Sequence, residues 1–234
     1  MARKFDGDVS KYPVPEIEGG TAVSFEATYD PDGHSLEAIE QFILDSGSED
    51  LTVFGGKWKG GIFCQQSSDE LAPCLLHILE SGLSINGYLE IGAAAGGTVY
   101  LINHFLHPRG IVIVDDGKHE HAWMRRTILS GITHTDIRGL SYQQDTLFTA
   151  KQFAPYDLIF VDADHTYLSV RADVALYLPM LSSGGFMIMH DSTYFKDDVG
   201  RVVKELQSDP QVEFIAEYVS KKYQPLGTSL FRKV

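Results

Sequence analysis

The chain has 234 residues, of which 44% are hydrophobic and 22% are charged, a composition typical of a folded globular protein and unlike that of disordered or collagen-like chains. Its 32 acidic and 19 basic residues give a net charge of −13, which opposes binding to nucleic acid or to an anionic membrane surface. No apolar stretch reaches the roughly 18 residues of a membrane span, and no apolar run follows the basic pair near the N-terminus, so we expect a cytoplasmic protein.

Residues 1–50 differ from the rest of the chain. Proline and glycine interrupt them repeatedly before a helical pattern at 36–45. They also carry apolar side chains that need a surface to cover, among them Tyr12 and Phe25. We therefore predict an N-terminal arm or lid over residues 1–50 that closes over a site or meets a neighbouring subunit, and with it a homo-oligomer. A second helix is predicted from residue 68 or 69 to residue 79, after an acidic, capped start.

From residue 87 onward, short apolar runs alternate with helix-length segments. This alternation is typical of a mostly parallel sheet with helices on both faces, that is, of an α/β fold. The seven predicted strands are 88–91, 111–114, 135–138, 156–161, 185–189, 213–219 and 229–233. The loop between the last two is too short for a parallel crossover, which predicts an antiparallel C-terminal hairpin. Residues 51–234 are thus expected to form one domain.

The predicted strands end in residues that suit ligand binding, at the sheet edge where open α/β proteins hold their ligands. The first strand runs into the pattern Glu-x-Gly-x-x-x-Gly-Gly, which starts at Glu90. Its small residues permit a tight turn and a close approach of backbone amides to a ligand, although the same turn can serve packing alone. The spacing differs from the Gly-x-Gly-x-x-Gly that cradles a pyrophosphate. The second strand ends in Asp115 and Asp116, where a carboxylate can bind ribose hydroxyls, and we prefer Asp115 for that role.

The fourth and fifth strands complete a recognisable series. They end in Asp-x-Asp-His-x-Tyr, from Asp162, and in His-Asp-Ser, from His190. Together with the glycine turn, this series resembles the class I S-adenosylmethionine-dependent methyltransferases, and within them most of all the macrolide sugar O-methyltransferases and cephalosporin-hydroxylase-like proteins. The resemblance covers roughly residues 65–234. It implies a Rossmann-like seven-stranded methyltransferase sheet, a methyltransferase activity and S-adenosylmethionine as cofactor.

The resemblance also implies roles for individual residues. The glycine turn would hold the methionine part of the cofactor, the acid after the second strand its ribose, and the segment 139–142 its adenine. Leu140 stands in that segment where family members often have aspartate. The cofactor-binding residues predicted on this basis are Glu90, Gly92, Ala93, Gly96, Asp115, Asp116, Ser141 and Asp162.

A divalent cation is the second implied cofactor. The counterparts of Asp162 and Asp191 bind metal in the sugar methyltransferases, and two carboxylates that meet at one sheet edge need a cation to be tolerated. The counterpart of His165 is the general base. His190 replaces the family's glutamate and stays open between metal ligand and packing residue. Oxygen ligands suit Mg²⁺, whereas an imidazole would favour Mn²⁺, Fe²⁺ or Zn²⁺, and we expect Mg²⁺ or Mn²⁺.

The predicted function is a metal-dependent O-methyltransferase that acts on a hydroxyl of a sugar or another polyhydroxylated small molecule. Asp162 and His165 are its predicted catalytic residues. Methyl transfer without metal, with His165 as the sole base, is an alternative within the same fold. A nucleotide-binding oxidoreductase and a non-catalytic accessory protein are alternatives from other classes, disfavoured by the glycine spacing and by the intact Asp162, His165 and Asp191 respectively.

Overall fold

The computed structural model describes residues 35–46 and 61–234. Most of the predicted arm over 1–50 lies outside these residues, but its helix is confirmed as α1 (Leu36–Asp45). Ser35 caps this helix, since its hydroxyl accepts a hydrogen bond from the amide of Ala38 at 3.2 Å. Helix α1 packs against α2 (Ser68–Glu80), which matches the second predicted helix.

The described part of the chain contains the seven predicted strands in one sheet. They are β1 (Gly87–Ile91), β2 (Gly110–Asp115), β3 (Thr135–Arg138), β4 (Tyr156–Val161), β5 (Leu181–His190), β6 (Val212–Tyr218) and β7 (Thr228–Lys233). Their order is β3-β2-β1-β4-β5-β7-β6. The first five are parallel, while β7 runs antiparallel to both β5 and β6, which confirms the predicted C-terminal hairpin.

Helices cover both faces of this sheet. Those that follow α2 are α3 (Gly97–Leu106), α4 (Arg125–Ile128), α5 (Gln144–Lys151), α6 (Tyr167–Tyr177) and α7 (Val199–Leu206). Helix α6 ends at Tyr177, because Pro179 lies in the 3₁₀ turn that follows and has no amide hydrogen to continue the helix. None of the helices that the structure describes is both long enough and apolar enough to span a membrane.

Two apolar cores, one on each face of the sheet, explain why the strands read as continuous apolar runs. Tyr88 and Phe160 point into the core beneath α1, α2 and α3, whereas their neighbours Leu89 and Ile159 point into the opposite core beneath α6 and α7. All four side chains are fully buried. With both faces covered, the carboxyl edge of β1, β2, β4 and β5 is the part of the sheet left for a ligand.

Candidate active site

A cavity of about 830 Å³ opens at this carboxyl edge. Its walls come from the turns after β1, β2, β3, β4 and β5 and from the segment 61–67 before α2. The predicted site residues that line it are Glu90, Gly92, Ala93, Asp115, Asp116, Ser141, Asp162, His165, His190 and Asp191. Gly96, the remaining predicted residue, is the N-cap of α3 with a φ of +86°, and a Cβ there would meet Arg125 and Leu129 at 3.1 Å.

The turn after β1 needs its glycines because the backbone passes very close to neighbouring segments. Gly92 has a φ of +85°, and a Cβ on it would lie 2.2 Å from the carbonyl oxygen of Asp162. A Cβ on Gly97 would lie 1.9 Å from the carbonyl oxygen of Phe63. Any larger residue would therefore push apart β1, the turn after β4 and the segment before α2, which together form the cavity.

Glu90 places a buried carboxyl in the cavity wall. It is 2% exposed, and the hydroxyl of Tyr88 donates a hydrogen bond to it. Burial raises the pKa of Glu90 to about 8, the hydrogen bond from Tyr88 opposes that rise, and the charge of Asp162 adds to it. At neutral pH the carboxyl is therefore mostly protonated unless a positive group lies beside it.

Asp115 ties the turns after β1 and β2 together. Its Oδ2 accepts hydrogen bonds from the amides of Ala93 and Ala94, both at 3.0 Å, and its Oδ1 accepts one from Gly117 at 2.6 Å. Arg125 forms an ion pair with the same oxygen at 2.7 Å. The adjacent Asp116 is more exposed and pairs with a lysine. Asp115 thus shapes the cavity wall that the sequence assigns to the ribose.

The structure brings Asp162, His165, His190 and Asp191 into one centre. The Nε2 atom of His165 lies 2.9 Å from Oδ2 of Asp191 and 3.6 Å from Oδ1 of Asp162. The Nδ1 atom of His190 lies 3.3 Å from Oδ1 of Asp162 and 3.4 Å from Oδ1 of Asp191. The His165 ring stacks on Phe195, with ring centroids 4.4 Å apart. Both histidines therefore face both aspartates.

This centre has the donors for a cation. One potential ligand atom from each of Asp162, His165 and Asp191 lies within 4.8 Å of the others. Two carboxylates and an imidazole suit a divalent ion. Asp191 has a φ of +65°, a conformation that non-glycine residues rarely adopt and that is often found at functional sites.

Charges within the centre balance one another. Burial lowers the pKa of His165, but Asp162 and Asp191 outweigh it and raise the pKa to about 10. Burial likewise lowers the pKa of His190, and Asp162 foremost raises it to about 9. Burial raises the pKa of Asp162, yet His190 and His165 together hold it well below its usual range. Asp162 is thus ionised, and each histidine is stabilised as a cation beside the aspartates.

Three supporting residues were missed by the sequence-based predictions: Gln66, Glu70 and Arg125. Gln66 donates a hydrogen bond to Asp162 at 2.7 Å. Besides its ion pair, Arg125 donates to the carbonyl oxygen of Ala94 at 3.0 Å. Each of these contacts joins residues that are far apart in the sequence, so no local pattern signals them.

Glu70 holds the loop between β6 and β7 in place. Its Oε1 accepts hydrogen bonds from the amides of Ser220, Leu226 and Gly227, at 2.7, 3.0 and 3.0 Å. The carbonyl of Gly227 in turn accepts a hydrogen bond from the amide of Ser192, directly after Asp191, at 3.1 Å. Glu70 therefore supports the turn that carries Asp191.

Comparisons with known proteins agree with this fold. The model of a family described as a methyltransferase domain matches residues 89–192. The curated protein R132 of Acanthamoeba polyphaga mimivirus, itself uncharacterized, is 24% identical over 151 residues, which cover 60% of this chain and 66% of that protein. The O-methyltransferase from Bacillus cereus, solved in complex with SAH, aligns with a TM-score of 0.57 and 17% identity, over 87% of this chain and 92% of that chain.

A third similar protein is the MycE methyltransferase from the mycinamycin biosynthetic pathway, solved in complex with Mg, SAH and mycinamycin VI. It aligns with a TM-score of 0.50 and 17% identity, over 70% of this chain and 48% of that chain. The methyltransferase domain matched over residues 89–192 agrees with the predicted resemblance to methyltransferases, and the shared fold confirms the predicted fold class.

Proposed function

We infer that the protein is an S-adenosylmethionine-dependent O-methyltransferase that acts on a hydroxyl of a sugar or another polyhydroxylated small molecule. Residues 89–192, which match a methyltransferase domain, are the starting point of this proposal. The observation that carries this proposal is the convergence of Asp162, His165 and Asp191 at one cavity with the Glu90 turn. The ligands named for the two similar structures, SAH for both and Mg with mycinamycin VI for MycE, support it.

The chain offers a distinct wall to each part of the cofactor. The carboxyl of Glu90 suits the ammonium group of the methionine part, since a positive partner there offsets the cost of ionising a buried acid. Asp115 or Asp116 would accept hydrogen bonds from the ribose, and Ser141 lies in the wall assigned to the adenine. The backbone amides of the glycine turn would approach the methionine carboxylate.

A divalent cation would be held by Asp162 and Asp191, with His190 as the candidate third ligand. His190 presents Nδ1 to both carboxylates at 3.3 and 3.4 Å, which fits a mixed oxygen and nitrogen donor set. This set favours Mn²⁺ more than an all-oxygen site does. When bound, the cation would lower the pKa of an acceptor hydroxyl and fix its direction.

His165 is the residue placed to take the proton of the acceptor hydroxyl. His165 lines the cavity, its Nε2 atom lies beside both aspartates, and the stacked Phe195 ring fixes the plane of the imidazole. A base must be neutral to accept a proton, and the charges of Asp162 and Asp191 oppose this in His165. A cation on the two aspartates would offset those charges and so favour the neutral form of His165, which is the form that can act as a base.

A metal-independent methyl transfer is the second candidate. It is favoured by one contact, the 2.9 Å pairing of His165 with Asp191, because an aspartate that orients a histidine is the ordinary arrangement of a base that works without metal. On this reading Asp191 orients His165 through Nε2, and the opposite nitrogen, Nδ1, would take the proton.

Turnover with S-adenosylmethionine and a panel of sugars and polyols tests the proposal, with S-adenosylhomocysteine release as the readout. We expect Asp191→Ala to abolish Mn²⁺ binding and turnover. We expect His165→Ala to keep binding of Mn²⁺ and of S-adenosylmethionine but to lose roughly 10² to 10⁴ in rate. Full activity in excess chelator would select the metal-independent reaction. Near-normal turnover by His165→Ala would refute both the metal-dependent and the metal-independent reaction, since each uses His165 as the base. The acceptor class, the homo-oligomer and the cytoplasmic location stay predictions.

A further inference from the structure

Gln66 connects two parts of the site that are distant in the sequence. It precedes α2, is 4% exposed and lies in the cavity wall. Its Nε2 donates a hydrogen bond to Oδ2 of Asp162 at 2.7 Å. Its Oε1 accepts hydrogen bonds from the hydroxyl of Thr98 at 2.6 Å and from the thiol of Cys64 at 2.9 Å. One amide thus bridges the first turn of α3 and the end of β4.

The chemistry of the neighbours allows this amide only one orientation. The carboxylate of Asp162 can only accept, so the NH₂ group of Gln66 must face it. The hydroxyl of Thr98 can donate to the amide oxygen, and so can the thiol of Cys64, since burial raises the pKa of Cys64 to about 12 and keeps it protonated. A flip of the amide would set its oxygen against the carboxylate of Asp162, so that two acceptors would face each other.

This arrangement fixes which oxygen of Asp162 faces the reacting centre. Because Gln66 holds Oδ2, the other oxygen, Oδ1, faces His190 at 3.3 Å and His165 at 3.6 Å. Without the amide, the contacts with the two histidines are the described side-chain contacts that remain to orient this carboxylate. Thr98, at the other end of the bridge, follows Gly97 in the turn that receives the cofactor.

We propose that Gln66 is a positioning residue, which holds the carboxylate of Asp162 at a fixed angle to the glycine turn and so presents Oδ1 to the acceptor side of the cavity. The proposal rests on the proposed function, because Asp162 is there a ligand of the cation beside the acceptor. It adds a residue outside the matched domain, on the segment before α2, to the machinery of the transfer.

The test compares Gln66→Met with Cys64→Ala. Methionine keeps the length of the side chain but cannot donate to Asp162. Cys64→Ala removes another buried hydrogen bond from the same network and leaves the contact between Gln66 and Asp162 in place. If the network only stabilises the fold, both variants lose thermal stability and neither loses rate specifically.

We expect Gln66→Met to lower kcat by about 10- to 100-fold, the usual effect of one hydrogen bond to a charged group, with the KM for S-adenosylmethionine within about twofold. We expect Cys64→Ala to stay within about twofold of wild type in both constants. A kcat for Gln66→Met equal to that of Cys64→Ala would overturn the proposal.

A second readout does not depend on activity. Imidazole ¹⁵N resonances of His165 and His190 report on the carboxylate that both rings contact. They are recorded at one pH and assigned from the variants His165→Gln and His190→Gln. We expect Gln66→Met to shift both resonances and Cys64→Ala to leave them unchanged. Unshifted resonances in Gln66→Met would overturn the positioning role. If they shift but wild type transfers no methyl group, the positioning role stands and the proposed function fails.

Discussion

Cofactor binding is expected to release a proton from Glu90. With a pKa of about 8 this buried carboxyl is mostly protonated at pH 7. An ammonium group placed beside it favours the ionised form and returns the pKa towards its ordinary 4.5 or below. Binding of S-adenosylhomocysteine at pH 7 should then release most of one proton, and clearly less at pH 9, where Glu90 is already largely ionised.

Titration calorimetry at one pH in phosphate and in Tris measures this number, since the observed enthalpy changes with the ionisation enthalpy of the buffer in proportion to the protons released. His165 and His190 can also release protons when a positive ligand enters, so Glu90→Gln is the matched control. The difference between wild type and Glu90→Gln is the contribution of Glu90. Equal proton release by the two proteins at pH 7 would refute the reasoning.

Three further changes test the cavity wall and its supports. Asp115→Ala should weaken S-adenosylhomocysteine binding at least tenfold in calorimetry, because charged hydrogen bonds worth about 1.5 to 3 kcal/mol are lost; unchanged affinity would exclude the role. Gly97→Ala should lower the midpoint of thermal unfolding and weaken cofactor binding, since its Cβ would lie 1.9 Å from a backbone carbonyl, whereas Gly110→Ala, with its nearest contact at 3.6 Å, should unfold like wild type. Glu70→Ala removes the acceptor of three buried amides, so it should lower the free energy of unfolding, measured with urea, by several times the roughly 1 to 3 kcal/mol of one unsatisfied group. A decrease no larger than that of Glu37→Ala, at an exposed position, would contradict this role.

The strands could be predicted from sequence because burial on both faces of the sheet leaves an uninterrupted apolar run between polar turns. The start of β5 could not. Gly184 and Gly185 predict a turn before a strand at 185, yet the strand begins at Leu181, which pairs with Tyr156 before the register shifts. A Cβ on Gly185 would lie 2.9 Å from the carbonyl oxygen of Asp157. The glycine therefore marks a close approach within an irregular strand, which has the same sequence signal as a turn.

The convergence of the candidate site residues was also predictable, because parallel strands carry their terminal residues to one edge. Asp162 and Asp191 end neighbouring strands, so their convergence follows from topology alone. The supports follow from no such rule. Glu70 lies 157 residues before Gly227, and Gln66 lies 96 residues before Asp162. Neither helical or strand periodicity nor a local motif predicts contacts over such separations. The packing of α2 on one face of the sheet brings these residues to the site.

The charge of this edge is itself an argument for positive ligands. Glu90, Asp162 and Asp191 are carboxyl groups with low exposure in one cavity wall, and such groups repel one another and lose hydration. The charges of two histidines offset part of the free-energy cost of burying the two aspartates. Glu90 avoids the same cost by staying protonated. A cation between the aspartates and an ammonium group beside Glu90 would each replace a proton with a ligand charge. A fold that accepts this cost at the one edge where ligands bind is therefore expected to gain stability from its ligands, and to gain more from the cationic S-adenosylmethionine than from its neutral product.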